Sequence, residues 1–367
     1  MKPAIPMADP AGEYRALKDE IDTAVGRVLA SGRYVLGPEG EALERELAAY
    51  TGAPHAVGVN SGTDALHLAL VAAGIGAGDE VIVPSFTFFA TAEAVSYTGA
   101  TPVFADIDAG TFNLDPASFQ NCITSRTKAV IAVHLFGQCA ALDELSRICR
   151  ERDLLLVEDC AQALGADYDG RRAGSWGDFG CFSFYPTKNL GAAGDAGLVT
   201  TKHKKHDETL RVLRHHGSRQ TYLHERVGWN SRLDELQAAV LRVKLRRLEQ
   251  FNDARRRVAQ RYRSKLQGAP LALPAENGRG RHAYHQFTVR SERRDAIREA
   301  LAREGIASSI FYPLPLHRQP AYEPSNRGLT LPAAETAAKS VLSLPIHPLL
   351  DEQGIDRICA CVRQSAR

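Results

Sequence analysis

The sequence lacks the features that mark membrane, secreted and nucleic-acid-binding proteins. No apolar run approaches the roughly 20 residues that span a bilayer, and the first ten residues show no charged segment followed by an apolar core. The 45 Lys and Arg residues are balanced by 43 Asp and Glu residues, so the formal net charge is only +2. Such a small charge provides no field that attracts nucleic acid or an anionic membrane. We therefore expect a cytoplasmic protein that holds any anionic ligand in a local site.

Paired cysteines are also missing. The seven cysteines are scattered, without a C-x-x-C pair, at positions 122, 139, 149, 160, 181, 359 and 361. An odd, scattered set favours reduced and mostly buried thiols over disulfides or a zinc site. Four histidines suggest a metal site, but no carboxylate or cysteine stands near them at a fixed spacing, so we expect no metal: His203, His206, His215 and His216.

Short β-rich runs alternate with helical segments in the first half of the 367 residues. The predicted strands are 56–59, 80–83, 101–104, 129–133 and 154–157. This alternation predicts an α/β protein with a mostly parallel sheet wrapped by helices. Ligands of such sheets bind beyond the carboxyl ends of the strands, on the loops that follow them.

The chain changes character after residue 230. A long helix is predicted over 232–266, and a Pro/Gly-rich break follows at 268–280. Two earlier helices are predicted near the N-terminus, over 13–30 and 39–50. A strand at 285–289, a helix at 295–304 and two helices near Pro332 and Asp351 complete the chain. We expect a large domain over residues 1–245 with an N-terminal helix, and a smaller α/β domain over residues 246–367.

The long helix between these domains is rich in arginine, which could indicate a nucleic-acid interface. An apolar stripe runs along the same helix, so a solvated helix face or the rim of a dimer is the better interpretation. The stripe consists of Leu241, Leu245, Leu248 and Phe251.

A strand-end acid and a later lysine carry the first chemical signal. The apolar run Leu154–Val157 ends in two acids, Glu158 and Asp159, and Lys188 stands among small and aromatic residues. A pyridoxal 5′-phosphate enzyme needs such a pair, because its lysine forms a Schiff base with the aldehyde while a carboxylate keeps the pyridine nitrogen protonated. Taken alone, Asp159 is better explained as a strand-end cap and Lys188 as a solvated loop residue.

A third element is the turn Ser61-Gly62-Thr63-Asp64 between a strand and a helix. The first N–H groups of a helix bind phosphate, and a glycine lets the ligand approach the backbone closely. An ordinary serine N-cap is the competing explanation. The three elements together, at one predicted edge of the sheet, are more specific than any of them alone.

These motifs together resemble the nucleotide-sugar aminotransferases of the DegT type. The resemblance runs from about residue 5 to about residue 361 and rests on the stretches 61–66, 84–91, 158–162, 183–190, 228–234 and 312–317. It implies a homodimer of fold type I that depends on pyridoxal 5′-phosphate and serves amino-sugar and polysaccharide biosynthesis. The family's dehydratase branch has a histidine where this chain has Lys188, so dehydratase chemistry is not implied.

The resemblance assigns roles to individual residues. Lys188 would be the Schiff-base lysine and Asp159 the partner of the pyridinium nitrogen. Around them, Gln162 would contact the 3-hydroxyl of the ring and Phe88 would stack on it, although Phe88 could equally be a core residue. Phosphate contacts would come from Gly62, Thr63, Ser183 and, from the partner subunit, Asn230.

The resemblance also narrows the substrates. Gln162 and the segment 230–239 match the branch that aminates 3-keto sugars, with L-glutamate as the expected amino donor and the 4-keto branch as the alternative. UDP-2-acetamido-3-oxo-glucuronate and dTDP-linked 3-keto deoxyhexoses both remain possible acceptors. Arg232 could bind a uronate or pair with Asp234 or Glu235, and Phe311, where the uronate relative has a histidine, weakens the uronate hypothesis. Tyr312 and His317 would line the sugar pocket, with packing of a Pro-rich turn as the competing role of His317.

Two other classes of function stay open at this stage. A pyridoxal phosphate-binding regulator without turnover would need Lys188 but no sugar pocket, and a pyridoxal phosphate enzyme could instead catalyse elimination. An NAD-dependent oxidoreductase is not expected, because the glycines at 74–78 precede a strand whereas a dinucleotide fingerprint follows one.

Overall fold

The computed structural model describes residues 3–220 and 222–367. Its helices are α1 (Pro10–Ala16), α2 (Lys18–Ser31), α3 (Pro38–Thr51), α4 (Gly62–Ala72), α5 (Ala90–Tyr97), α6 (Pro116–Asn121), α7 (Leu142–Arg152), α8 (Lys204–Leu213), α9 (Glu235–Leu245), α10 (Leu248–Leu266), α11 (Arg294–Arg303), α12 (Pro332–Ser340) and α13 (Glu352–Ser365). Its strands are β1 (His55–Val59), β2 (Glu80–Pro84), β3 (Thr101–Ala105), β4 (Thr127–Val133), β5 (Leu155–Asp159), β6 (Asp167–Tyr168), β7 (Arg171–Arg172), β8 (Phe179–Ser183), β9 (Gly197–Thr201), β10 (Ser218–Gln220), β11 (Leu223–His224), β12 (Phe287–Arg290) and β13 (Val341–Leu344).

A seven-stranded sheet forms the centre of the large domain. Its strand order is β1-β9-β8-β5-β4-β2-β3. The neighbours β3, β2, β4, β5 and β8 pair in parallel, whereas β9 runs antiparallel to both β8 and β1. The predicted α/β class and mostly parallel sheet are therefore confirmed, and each of the five predicted strands of this sheet is present.

Both faces of this sheet are buried, as the apolar strands require. Val81 and Val83 of β2 lie in one hydrophobic cluster and Ile82 lies in another on the opposite face. Successive side chains of a strand point to opposite faces. Helices therefore cover the sheet on both sides, which leaves the carboxyl ends of the parallel strands as the open edge.

A smaller unit follows at the C-terminal end. The antiparallel pair β12–β13 packs with α10, α11 and α13 around a third cluster that includes Tyr262, Phe287 and Ile358. Ile5 also lies in this cluster and bridges to Ile306, so the first described residues fold onto the C-terminal unit.

Two predicted helices are each divided in the structure. The segment predicted as 13–30 breaks at Leu17, which ends α1 and precedes α2. The segment predicted as 232–266 breaks at Arg246 and Arg247, between α9 and α10. Apolar residues on both sides of each break keep helical spacing, so the pattern alone does not reveal the interruption.

The arginines around these helices mostly serve internal contacts. Arg242 pairs with Glu39 and Glu46, and Arg246 with Glu20. Arg255 is fully buried and donates to the carbonyl oxygen of Ile346 at 2.7 Å. These contacts give Arg242, Arg246 and Arg255 structural roles within the chain itself.

All seven cysteines are free thiols, and five of them are buried. Among the described residues, the structure contains no helix with the length and apolar character that a membrane crossing requires.

Candidate active site

A cavity of about 520 Å³ opens at the carboxyl edge of the sheet. β5 ends at Asp159 and β8 ends at Ser183, while α4 begins at Gly62 after β1. Val59, Gly197 and Ser183 lie in one row across β1, β9 and β8, which brings the start of α4 beside the end of β8. The cavity wall includes eight of the predicted site residues: Gly62, Thr63, Phe88, Asp159, Gln162, Ser183, Lys188 and Tyr312.

Asp159 is the buried acid of this cavity. Its Oδ2 accepts a hydrogen bond from the hydroxyl of Thr91 at 3.0 Å, and its Oδ1 accepts one from the Ala161 N–H at 3.2 Å. Burial raises the pKa of Asp159, and these two hydrogen bonds together with the charge of Lys188 oppose that rise. A cationic partner in the cavity would therefore stabilise the carboxylate further.

Lys188 reaches the same cavity from the loop after β8. Its backbone N–H donates to the carbonyl oxygen of Tyr185 at 2.8 Å, which closes a turn around the lysine. Burial lowers the pKa of Lys188 to about 8, against the opposing charge of Asp159. A substantial fraction of the amine is consequently neutral near physiological pH, as a nucleophile that attacks an aldehyde requires.

A cradle at the start of α4 fits a phosphate group. The Ser61 hydroxyl accepts from the Asp64 N–H at 3.1 Å and caps the helix, while the first N–H groups of a helix have no partner within it. A Cβ added to Gly62 would lie 2.6 Å from the Cβ of Ser183. Only glycine therefore leaves room at this position, and the positive end of the helix dipole favours an anion there.

Gln162 and Phe88 also line the cavity. The Gln162 side chain accepts from the Phe136 N–H at 2.7 Å and donates to the Tyr312 hydroxyl at 3.2 Å. Phe88 is 57% exposed and lies 6.2 Å from the Tyr312 ring, centroid to centroid. Its exposure at the cavity wall argues against the alternative that Phe88 belongs to the core.

Three predicted residues lie outside the cavity of their own chain, and two of them, Asn230 and Arg232, contact His215. Asn230 is exposed and bridges to His215, and Arg232 places Nη1 3.4 Å from Nδ1 of the same histidine. Among the described residues, Arg232 forms no ion pair with Asp234 or Glu235. Glu235 instead accepts backbone N–H bonds from residues 37, 39 and 40.

The structure does not support His317 as a pocket-lining residue. Its ring is fully buried, and its two nitrogens lie 2.6 Å from the Ser85 hydroxyl and 3.1 Å from a Glu335 oxygen. The neighbouring Leu316 N–H donates to the Ser85 carbonyl oxygen, so this turn is fastened to the end of β2. His317 therefore has the packing role that the sequence offered as the competing explanation.

Several cavity residues were not predicted from the sequence. Tyr185, Thr187, Asp195, His285 and Gln286 line the cavity, and Thr91 donates a hydrogen bond to Asp159. Thr91, Tyr185 and Thr187 lie within the motifs quoted above, so their motif membership was an available signal. His285 precedes β12 and carried no such signal.

The one group of potential metal ligands found among the described residues is His134, Glu158 and Cys160. Glu158 accepts from His134 and from the N–H groups of residues 174, 176 and 177. His134 Nδ1 in turn accepts from the Ala140 N–H at 3.2 Å. The atoms of His134 and Glu158 that could bind a metal ion are thus already used in hydrogen bonds. The two residues belong to an internal hydrogen-bond network.

The cavity as a whole fits pyridoxal 5′-phosphate. It combines a lysine of lowered pKa, a buried carboxylate, an anion cradle and an exposed aromatic ring within one volume of about 520 Å³. Lys188 would hold the aldehyde carbon, Asp159 the pyridine nitrogen, and Gly62, Thr63 and Ser183 the phosphate.

Comparison with known proteins agrees with this geometry. The profile of the DegT/DnrJ/EryC1/StrS aminotransferase family matches residues 15–363. The chain is 49% identical over 363 residues to the UDP-N-acetyl-3-dehydro-alpha-D-glucosamine 3-aminotransferase of Acidithiobacillus ferrooxidans, which covers 99% of this chain and 98% of the relative.

It is also 49% identical over 367 residues to the dTDP-3-amino-3,4,6-trideoxy-alpha-D-glucose transaminase of Streptomyces venezuelae, covering 99% of this chain and 97% of that one. A crystal structure of S. venezuelae DesV superimposes with a TM-score of 0.98 at 48% identity, over 100% of this chain and 99% of the other.

Because the family match spans almost the whole chain and the cavity fits the cofactor, the protein belongs to the DegT/DnrJ/EryC1/StrS aminotransferase family and is a pyridoxal 5′-phosphate-dependent sugar aminotransferase.

Proposed function

We propose that the protein transfers an amino group from L-glutamate to the C3 carbonyl of a neutral nucleotide-linked 3-keto sugar. The observation that carries the proposal is the Lys188–Asp159 cavity in a chain whose full-length relatives are named as 3-amino transferases of nucleotide sugars. Gln162, which the family resemblance associates with the 3-keto branch, lines this cavity.

Each residue has a defined task in this reaction. Bound pyridoxal 5′-phosphate supplies an electron sink for the carbon that gains or loses its proton. Lys188 carries that proton on its Nζ, which a pKa of about 8 allows in both directions near neutral pH. Asp159 keeps a positive charge on the pyridine nitrogen, and Thr91 and the Ala161 N–H orient its two carboxylate oxygens.

The cavity wall favours a neutral sugar over a uronate. Lys188, reserved for the reaction, is the one Lys or Arg on the cavity wall within the described chain. Phe311 offers an apolar surface and Asp195 a negative charge, which would repel a sugar carboxylate. Arg232 points to His215 and away from the cavity of its own chain, so a uronate would depend on an arginine from the partner subunit.

We further propose that the active form is a homodimer with shared sites. Asn230 is exposed, and the adjoining segment carries apolar side chains with large exposed fractions: Tyr222 at 93%, Val227 at 86% and Leu223 at 60%. Exposed apolar surface of this kind is typical of interfaces. Covering it with a second copy would let Asn230 contact the phosphate of the partner's site.

We also propose a cytoplasmic location, which the seven free thiols support.

A substrate panel tests the proposed acceptor. The purified protein, loaded with pyridoxal 5′-phosphate, is incubated with L-glutamate and one keto sugar at a time: UDP-N-acetyl-3-dehydro-α-D-glucosamine, its uronate counterpart, a dTDP-3-keto-6-deoxyhexose and a 4-keto nucleotide sugar. Mass spectrometry of the products should show amination of the neutral 3-keto sugars at a higher kcat/KM than the uronate. Preferred amination of the 4-keto sugar would contradict the proposal.

A further inference from the structure

His285 is a buried histidine on the cavity wall, and its neighbour Asn189 has an unambiguous orientation. The amide nitrogen of Asn189 donates to the Ala283 carbonyl oxygen at 2.9 Å and to the Asn252 side-chain oxygen at 2.7 Å. A backbone carbonyl can only accept a hydrogen bond. The other amide atom of Asn189, which faces His285, is therefore its oxygen.

This orientation determines which nitrogen of His285 carries the proton. The Asn189 oxygen lies 3.2 Å from Nδ1 of His285, and because that oxygen only accepts, Nδ1 must be the donor. Burial, with the charges of Lys188 and Arg255, holds the pKa of His285 well below its usual value, so the ring is neutral. A neutral ring with a proton on Nδ1 has a bare lone pair on Nε2.

The lone pair has no partner in the described chain. His285 lines the cavity that also holds Lys188, and its Nε2 forms no hydrogen bond with residues 3–220 or 222–367. An acceptor that loses its water when a ligand fills the cavity is destabilising unless the ligand brings a donor. Nε2 thus selects for a ligand with a hydroxyl or an amide N–H at this place.

The two substrates differ in what they could bring. A sugar ring carries hydroxyl groups and, in an N-acetyl sugar, an amide N–H. The amino group of L-glutamate is a donor, but the transfer reaction itself occupies it. The carboxylates that remain are acceptors at neutral pH and would be repelled by a bare nitrogen lone pair. His285 therefore distinguishes the sugar from the amino acid, even though both react in one cavity.

We propose that His285 is a substrate-binding residue whose Nε2 accepts a hydrogen bond from a hydroxyl or amide group of the nucleotide sugar. Asn189 is its positioning residue, because the Asn189 oxygen keeps the proton on Nδ1. The inference rests on the proposed function and adds to it a contact that selects the sugar.

Two variants distinguish the role of Nε2 from that of Nδ1. His285→Asn keeps an N–H close to the Nδ1 position and removes any group at Nε2, whereas His285→Gln can place an oxygen close to Nε2. Both are loaded with cofactor, and the visible band verifies that they fold. The rate of the spectral change is then measured separately with L-glutamate and with UDP-N-acetyl-3-amino-3-deoxy-α-D-glucosamine, the amino-sugar product run in reverse.

The expected result is a change in the ratio of the two rates. In His285→Asn, kcat/KM for the amino sugar should fall about tenfold relative to that for L-glutamate, which is the loss of one neutral hydrogen bond. His285→Gln should recover most of that ratio. Equal losses in both half-reactions would instead connect Nε2 with Lys188 or with folding, and an unchanged ratio would show that Nε2 binds no sugar group; both results overturn the proposal.

A spectroscopic measurement tests the premise without turnover. The ¹⁵N spectrum of histidine-labelled protein, with the His285 signals assigned by subtracting the spectrum of either folded variant, should show a proton on Nδ1. A proton on Nε2 would overturn the inference. Wild-type protein that reacts with L-glutamate but not with any amino sugar would instead contradict the proposed function, while the spectrum would still report on His285.

Discussion

The Thr91 hydroxyl donates to Oδ2 of Asp159 across 3.0 Å, and both side chains are buried. With the Ala161 N–H on the other oxygen, this bond orients a carboxylate whose pKa burial would otherwise raise. The ionisation of Asp159, at the end of β5, therefore depends on Thr91 of α5 as well.

The first prediction concerns the charge of Asp159. Asp159→Asn should lower kcat by about 100-fold or more, because an amide no longer keeps the bound pyridine nitrogen cationic. Bound cofactor should remain detectable by absorbance. Thr91→Val removes one hydrogen bond to the carboxylate and should have a smaller effect of about tenfold. Near-full turnover by the asparagine variant would refute the role of Asp159.

The second prediction concerns the pH dependence of cofactor capture. Only the neutral amine of Lys188 attacks the aldehyde, and its pKa of about 8 lies below the ordinary value for lysine. Stopped-flow absorbance of cofactor-free protein mixed with pyridoxal 5′-phosphate should show a rate constant that rises with pH up to about 8 and then levels. A rate that continues to rise towards pH 10 would mean that burial does not lower this pKa.

The third prediction concerns the phosphate cradle. Gly62→Ala places a methyl group 2.6 Å from the Cβ of Ser183, so the backbone must move and the affinity for pyridoxal 5′-phosphate should fall by about tenfold or more. Gly26 lies within α2 with nothing near its added Cβ, which makes Gly26→Ala a matched control. The control should keep its cofactor affinity and gain stability by roughly 0.5–1 kcal/mol. Equal cofactor affinity in both variants would exclude the cradle.

The fourth prediction separates His317 from Tyr312. His317→Leu breaks the bonds to Ser85 and Glu335 and should lower the free energy of unfolding by roughly 2 kcal/mol. Tyr312→Phe removes a cavity hydroxyl and should mainly lower kcat/KM for the sugar. Urea titration and steady-state kinetics of both variants measure the two effects. If His317→Leu mainly lowered kcat/KM for the sugar and Tyr312→Phe mainly lowered stability, His317 would belong to the sugar pocket.

The fifth prediction concerns the shared site. Lys188→Ala and Asn230→Ala homodimers should each have little activity. When the two variants are mixed and allowed to exchange subunits, one site of each mixed dimer regains both an intact Lys188 and an intact partner Asn230. Recovery of activity on mixing is therefore expected. Size-exclusion chromatography with light scattering checks the dimer, and failure to recover activity in verified mixed dimers would place Asn230 in the site of its own chain.

The central sheet was largely predictable because its strands are short, apolar and separated by helices. Both faces of β2 are buried, so Val81, Ile82 and Val83 form a continuous apolar run. Two strands of the sheet, β8 and the antiparallel β9, were missed. In the case of β9 the pattern was uninformative. Its ends, Gly197 and Thr201, gave no apolar alternation, and its place between β1 and β8 depends on pairing across the sheet.

The limits of the site prediction show in two histidines. His317 stands in a Pro-rich turn and His285 before a strand, and neither position reveals where its ring points. Both ring nitrogens of His317 have partners in the interior, whereas His285 lines the cavity and only its Nδ1 has a partner, Asn189, in the described chain. Only contacts between distant segments distinguish the two, and such contacts leave no periodic signal in the sequence.

The most direct test of the account is the absorption spectrum of the purified, cofactor-loaded protein before and after addition of L-glutamate, beside the Lys188→Ala variant. The wild type should show a visible band that bleaches with L-glutamate and returns when UDP-N-acetyl-3-dehydro-α-D-glucosamine is added, and the variant should lack this cycle. A wild-type protein that forms no visible band with added cofactor, or a variant that completes the same cycle, would contradict the assignment of Lys188 and with it the proposed reaction.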